Sequence, residues 1–308
     1  MQFLESPDHA QIQEWLARDE FFWLDLFDPA VEELEELGKL LGVHELAIED
    51  SREFGQRPKF DRYDRHALIV FYGIQGTDLT EVHLHVSGNW VISVHRTGCA
   101  ALQVAYRRMR SAGTRTEEEA VYRILDSLTD SFFPVLDEFD SRLDDLIDAI
   151  VEKPTTEQRH ELFNQRRKLV EMRRVIGPMR DAILLGGAEL ERLPGLDLDD
   201  TRDYFRDVVD HLTRLNELLD GMRDLISGAL DVYLSTVSNR LNEVMKQLTL
   251  VSVIFLPLTF ITGFFGQNFG WMVRHINGPT EFVVFGGGAL AIAAGLMFAW
   301  FRQSGFLE

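Results

Sequence analysis

The stretch Asn242-Glu-Val-Met-Lys-Gln-Leu-Thr-Leu-Val-Ser-Val-Ile-Phe-Leu-Pro-Leu-Thr-Phe-Ile-Thr-Gly-Phe-Phe-Gly-Gln-Asn268 decides the architecture. No residue from Leu248 to Phe265 is charged. As a helix that run covers roughly 27 Å, close to the hydrocarbon thickness of a bilayer. A second uncharged run spans Phe282 to Phe301, and the link between the two is short and contains glycine. Two spans this close together form a membrane hairpin.

The first span is not apolar all round. On a helical projection Asn242, Met245, Thr249, Ser252, Leu256, Thr259 and Gly263 fall within one arc of about 100°. The rest of the surface is largely Leu, Val, Ile and Phe. Polar groups avoid lipid because nothing there satisfies them, so the stripe faces protein or water. One reading is a packing seam of small residues. The sharper reading is a pore wall, and because two spans cannot enclose a pore, it requires an oligomer.

Moving outward, Val237-Ser-Asn-Arg-Leu-Asn-Glu-Val-Met-Lys246, then Phe255-Leu-Pro-Leu-Thr-Phe-Ile-Thr-Gly263, then Gly266-Gln-Asn-Phe269 resemble the CorA-type magnesium transporter family. His44-Glu-Leu-Ala-Ile-Glu-Asp50 and Gln56-Arg-Pro-Lys-Phe60 resemble that family's N-terminal domain. The family carries a Gly-Met-Asn signature at the end of its first span; here the middle residue is Gln267, and relatives that handle zinc also vary there. The resemblance implies a funnel-shaped homopentamer and transport of hydrated Mg²⁺, with Co²⁺, Ni²⁺ or Zn²⁺ as alternative cargo.

Charge agrees with a cation partner. The net charge is −19, and the four charged residues from position 248 onward, Arg274, Glu281, Arg302 and Glu308, cancel. The excess of carboxylates therefore lies in residues 1–247. Such a surface does not suit nucleic acid or anionic lipid, although it also serves simple solubility. Cys99 is the only cysteine, which excludes a disulfide framework and a thiolate metal cluster. There is no nucleotide motif and no catalytic constellation, so the expectation is a transporter rather than an enzyme, with flow down the electrochemical gradient. The N-terminus lacks a signal-peptide pattern. Arg240 and Lys246 before the first span, and Arg302 after the second, favour both termini in the cytoplasm; the expected location, as a transporter of this kind, is the inner membrane.

Six regions are expected: an α/β cytoplasmic domain over 1–115, an acidic helical hairpin over 116–200, a stalk and pore helix over 201–265, an external loop over 266–281, a second span over 282–301 and a cytoplasmic tail over 302–308. The fold class is thus α+β with a long helical stalk and two C-terminal membrane helices. Phe22–Phe27, Ala67–Tyr72, Val82–Val86 and Trp90–His95 read as strands, with a turn at Gly88-Asn89. Asp28-Pro29 opens a helix running to Gly42, His44–Asp50 forms a short helix, and Cys99–Arg110 another. His83 and His85 share one strand face; without a third ligand in view they read as core histidines. In the hairpin, Pro134 predicts a kink. The acidic run from Asp137 to Glu152 faces Arg159, Arg166, Arg167, Lys168, Arg173 and Arg174, which predicts salt bridges across the hairpin. Its other reading is an acidic lobe that responds to divalent cations. From Thr201 to Leu256 there is no proline. Phe205, Val208, Leu212, Leu215, Leu219, Met222, Ile226, Ala229 and Tyr233 recur at intervals of three and four, a heptad seam.

Mg²⁺ holds its waters tightly and prefers oxygen ligands. A selective pore can therefore recognise the hydrated ion through neutral oxygens. Asn242 supplies an amide carbonyl, and Thr249, Ser252 and Thr259 supply hydroxyls. By resemblance, Gly266, Gln267 and Asn268 form the outer selectivity filter, with a symmetric ring of Asn268 at its centre. Met245, Leu248 and Leu256 match family positions that form hydrophobic constrictions, which stop ions by dewetting. Asp207, in Tyr204-Phe-Arg-Asp-Val-Val-Asp210, matches a family position that binds regulatory Mg²⁺ with a carboxylate of a neighbouring subunit, here Asp78 or Glu81. A membrane-anchored scaffold or sensor that does not conduct is the alternative from another class.

Overall fold

The computed structural model describes residues 2–114, 116–190, 192–195, 202–267, 269–276 and 278–303. They form two compact units that meet between Tyr233 and Leu234.

In the first unit a six-stranded sheet is built from β1 (Gln2–Leu4), β2 (Phe22–Phe27), β3 (Lys59–Arg62), β4 (Ala67–Gln75), β5 (Asp78–Val86) and β6 (Trp90–His95), in the order β1-β2-β6-β5-β4-β3. The β1–β2 and β2–β6 pairs are parallel; the others are antiparallel. Alternation along β2 sends Phe22, Leu24 and Leu26 to one face, where they pack with Ile12 of α1 (His9–Ala17), Leu34 and Leu37 of α2 (Val31–Leu41) and Ile48 of α3 (Glu45–Arg52). Trp23 points to the other face and joins the larger core. There its indole N–H donates to Ser93 Oγ at 2.9 Å. Because both faces are covered, β4 is buried from Ala67 to Ile74 instead of alternating.

The larger core is completed by α4 (Ala100–Ala112), α5 (Glu117–Asp130), α6 (Phe132–Glu152), α7 (Thr156–Leu190) and the first part of α8 (Arg202–Phe265). All nine heptad positions from Phe205 to Tyr233 are buried in it. Leu212 is fully buried, so Leu212→Ala is expected to cost about 2–5 kcal/mol through lost transfer energy and a residual cavity. Urea unfolding of the detergent-solubilised chain, followed by tryptophan fluorescence, should show a lower midpoint at unchanged slope. An unchanged midpoint would remove Leu212 from the core.

Four local expectations are corrected. Asp28 has φ 44° and belongs to a turn, and α2 begins at Val31, where Glu33 Oε2 accepts from Ala30 N at 3.3 Å. At Pro134 there is no kinked helix but two helices separated at Ser131. The proline sits in the first turn of α6, where its missing N–H costs nothing. Ser131 fixes the break, accepting from Ile74 N at 2.9 Å and donating to Leu128 O at 2.5 Å. Among the described residues no ion pair joins α6 to α7; Arg142 pairs within α6 to Glu138, and Arg173 reaches Asp220 on α8. Finally, β1, α1 and β3 add to the expected elements.

The second unit contains the rest of α8, then α9 (Gly270–His275), α10 (Pro279–Phe282), a π-helical turn (Val283–Gly287) and α11 (Gly288–Gln303). Two helical segments, Asp203–Phe265 and Pro279–Gln303, are long and apolar enough to cross a membrane. Of their most apolar windows 0% and 6% are buried, so neither window is packed into a core within the chain. Pro257 lies inside α8 and leaves the Val253 carbonyl without its helical donor.

Candidate ion path and cation site

Along α8 the stripe residues Asn242, Met245, Thr249, Ser252, Leu256 and Thr259, together with Leu248 beside them, are all exposed. The hydroxyl chemistry along it is specific. Thr249 Oγ1 donates to Met245 O at 2.7 Å, and Ser252 Oγ donates to Leu248 O at 2.8 Å. Each proton is thus spent on the helix's own carbonyl, which leaves the oxygen lone pairs to accept from outside. A hydrated cation presents water hydrogens, so acceptors of this kind match it. Met245, Leu248 and Leu256 are 51%, 58% and 76% exposed, large apolar side chains with no partner that would bury them in the single chain.

The helix closes at Gly266, whose N–H donates to Thr262 O at 3.0 Å, and Gln267 N donates to Phe264 O at 3.2 Å. A Cβ at position 266 would approach Thr262 O to 3.2 Å and Gly263 O to 3.4 Å, tighter than ordinary contact. Gln267 is exposed. Asn268 lies outside the described residues.

Asp207 sits on α8 in the first unit, beside α5. Tyr122 OH donates to Asp207 Oδ2 at 3.2 Å. One turn along, His211 Nε2 is 3.7 Å from Asp207 Oδ1, while its Nδ1 is 3.5 Å from both Asp126 Oδ1 and Asp130 Oδ1. That Nδ1 is buried and has no hydrogen-bond partner. Ligand atoms of Asp126, Asp130 and His211 lie within 4.8 Å of one another, a spacing able to hold a metal ion. Arg108 Nη1 compensates from one side, 3.0 Å from Asp126 Oδ2 and 3.1 Å from Asp130 Oδ2. The compensation is incomplete. Burial, and next the charge on Asp130, push the Asp126 carboxyl above its ordinary value. Burial, Asp126 and Asp207 likewise push the Tyr122 hydroxyl up. Asp126, Asp130 and His211 were not singled out from the sequence. Their signal was present as two i,i+4 pairs, Asp126 with Asp130 and Asp207 with His211, each on one helix face.

Of the two carboxylates expected to bridge from a neighbouring subunit, Asp78 is exposed at the start of β5. Glu81 is bound within its own chain. It is 8% exposed and accepts from Gly55 N at 2.5 Å, Gln56 N at 3.1 Å and His83 Nε2 at 2.7 Å. Burial opposes its ionisation, but the hydrogen bonds from His83, Gly55 and Gln56 outweigh it and hold the carboxyl below its ordinary value. His83 and His85 are core histidines. His85 Nε2 lies 2.8 Å from Ser51 Oγ, and burial, then His66 and His83, push the ring down to about 3.

The family described as CorA-like Mg²⁺ transporter protein matches residues 18–303. The Cobalt/magnesium transport protein CorA of Thermotoga maritima is 34% identical over 250 residues, 78% of this chain and 70% of the relative. The Zinc transport protein ZntB of Yersinia pseudotuberculosis is 26% identical over 70% of this chain and 66% of its own length. Among solved structures, the complete CorA magnesium transporter of Methanocaldococcus jannaschii superposes with a TM-score of 0.79 at 22% identity, covering 92% of this chain and 90% of that one. Full-length CmaX gives a TM-score of 0.72 at 24% identity over 93% of this chain and 88% of its own. The α/β domain, the long helix and the two C-terminal spans are the fold of these transporters, and the chain belongs to the CorA-like Mg²⁺ transporter family.

Proposed function

We propose that the chain is one subunit of a homopentameric divalent-cation channel of the inner membrane, with both termini in the cytoplasm, that passes hydrated Mg²⁺ down its electrochemical gradient. The observation that carries this reading is the row of outward lone pairs on Thr249 and Ser252, on a span that ends in the Gly-Gln-Asn variant of the family signature. Neutral acceptors hold an ion by its waters and release it again, which conduction requires. Gly266, Gln267 and Asn268 form the outer filter; Asn242, Thr249, Ser252 and Thr259 line the path; Met245, Leu248 and Leu256 close it. The −19 charge is repeated in each subunit, so internal Mg²⁺ at Asp207, supported by Asp126, Asp130 and His211 and by an exposed carboxylate of a neighbour such as Asp78, offsets repulsion and favours the closed ring. Flux of Mg²⁺, Co²⁺, Ni²⁺ and Zn²⁺ into liposomes tests this directly. No flux of any of them would leave a scaffold or sensor.

A second cargo, Zn²⁺, is favoured by Gln267 and by the likeness to ZntB. Gln267→Met separates the two. If the amide of Gln267 is a tolerated variant, Mg²⁺ flux is retained or raised. A change from Zn²⁺ to Mg²⁺ transport on substitution would make Gln267 the metal selector and end the magnesium assignment.

A further inference from the structure

A cleft of about 690 Å³ opens between the loop Gly55–Pro58 and α7. Arg57, Arg173 and Arg174 line it, and no carboxylate does. This is unexpected in a chain with 50 acidic and 31 basic residues. Arg173 is committed to Asp220. Arg57 and Arg174 make no ion pair among the described residues, and they come from opposite walls. Between them the lining is apolar, with Val170, Val175 and Pro178 on α7 and the Tyr72 ring beneath the loop.

The loop is held before any ligand arrives. Glu81 accepts from Gly55 N and Gln56 N. The Gln56 side-chain amide donates to Asp50 O at 2.6 Å and Glu53 O at 2.8 Å, and the Tyr72 hydroxyl lies 2.5 Å from Gln56 O. Pro58 then restricts the backbone directly after Arg57. The loop backbone loses little freedom on binding, and guanidinium groups match phosphate oxygens in bidentate geometry. The cleft is open to solvent and is larger than one phosphate needs.

We propose that this cleft binds a nucleoside polyphosphate, its phosphates on Arg57 and Arg174 and its base on the apolar α7 surface of Val170, Val175 and Pro178. A cation would find no ligand there. Mg²⁺ bound to the polyphosphate cancels charge that the guanidiniums would otherwise meet, so the cleft favours the metal-free form. That form accumulates when Mg²⁺ is scarce, which ties the cleft to the transport reading above.

The test is isothermal titration of the full detergent-solubilised chain with ATP, in EDTA and again in excess Mg²⁺, with AMP and inorganic phosphate as comparators. The expected result is one ATP per chain, tighter in EDTA, and weakened about tenfold or more by Arg57→Gln and by Arg174→Gln, the loss expected for a charged hydrogen bond. Binding is read without flux, so an ATP-binding chain that carries no cation would sink the transport reading and leave this one standing. Absence of ATP heat overturns the proposal. So does equal affinity for inorganic phosphate, or ATP binding that both substitutions leave unchanged. A parent chain that ignores ATP while the substitutions dissociate its oligomer would assign the cleft to a neighbouring subunit instead.

Discussion

Asn268→Ala, reconstituted into liposomes, should carry no more Mg²⁺ than protein-free vesicles, while its oligomer survives detergent extraction. The reasoning starts from the residues before it. Gly266 ends the long helix with its N–H on Thr262 O, and Gln267 N follows onto Phe264 O. The chain therefore leaves the helix at a fixed point, immediately ahead of Asn268. An amide there offers a carbonyl acceptor to the water shell of Mg²⁺ and two donors to brace its neighbours. Alanine offers neither, so the water shell that Mg²⁺ retains loses the acceptor that would hold it. In the proposed homopentamer symmetry would repeat the loss in each subunit, so the effect would fall on selection and not on a single contact. Folding should be spared, because the substitution adds no bulk. Undiminished Mg²⁺ flux in a well-folded variant would move the filter elsewhere on the stripe.

The stalk was legible in the sequence because its signal is periodic: nine apolar positions at helical intervals all fall in one core. The membrane hairpin was legible for a related reason, since uncharged runs of that length have few other uses. The elements that sequence reading missed are those with weak patterns. β3, Lys59-Phe-Asp-Arg62, is a mostly charged edge strand, and β1 is three residues of parallel pairing. α1 has its N-cap written in Asp8, whose Oδ1 accepts from Ala10 N and Gln11 N at 3.1 Å, but it is short and buries only Ile12. The cluster around His211 was half legible. Asp207 stood out by resemblance, whereas Asp126 and Asp130 meet it only through the packing of α5 on α8; Tyr122 and Asp207 are 85 residues apart in sequence. The loop that covers Glu81 was not legible, because an acid on a strand carries no sequence mark of it.

The second large effect is expected at that cluster and has a defined pH dependence. The Asp126 carboxyl is held above its ordinary value by burial and by Asp130. A group raised in the folded state stabilises folding fully below its unfolded value, and that contribution is lost as pH rises through the folded value. At neutral pH the folded chain therefore carries repulsion among Asp126, Asp130 and Asp207 that Arg108 only partly offsets. A divalent ion relieves it, but only where the carboxylates are ionised. Mg²⁺ should thus raise the melting temperature of the solubilised chain at about pH 7, with about 2.7 kcal/mol available at a hundredfold excess over its dissociation constant. The increment should fade as pH falls toward the raised Asp126 value, where protons compete with the metal. Asp207→Ala removes the proposed ligand together with some of the repulsion, so the Mg²⁺-free chain is expected to keep its stability while the Mg²⁺ increment shrinks. Protease protection of the soluble domain, and flux, should lose their dependence on internal Mg²⁺ in the same variant. Asp207 and Leu256 lie on the same helix, α8. If Asp207→Ala titrates with Mg²⁺ like the parent in melting, protection and flux, the closing signal is read by other carboxylates.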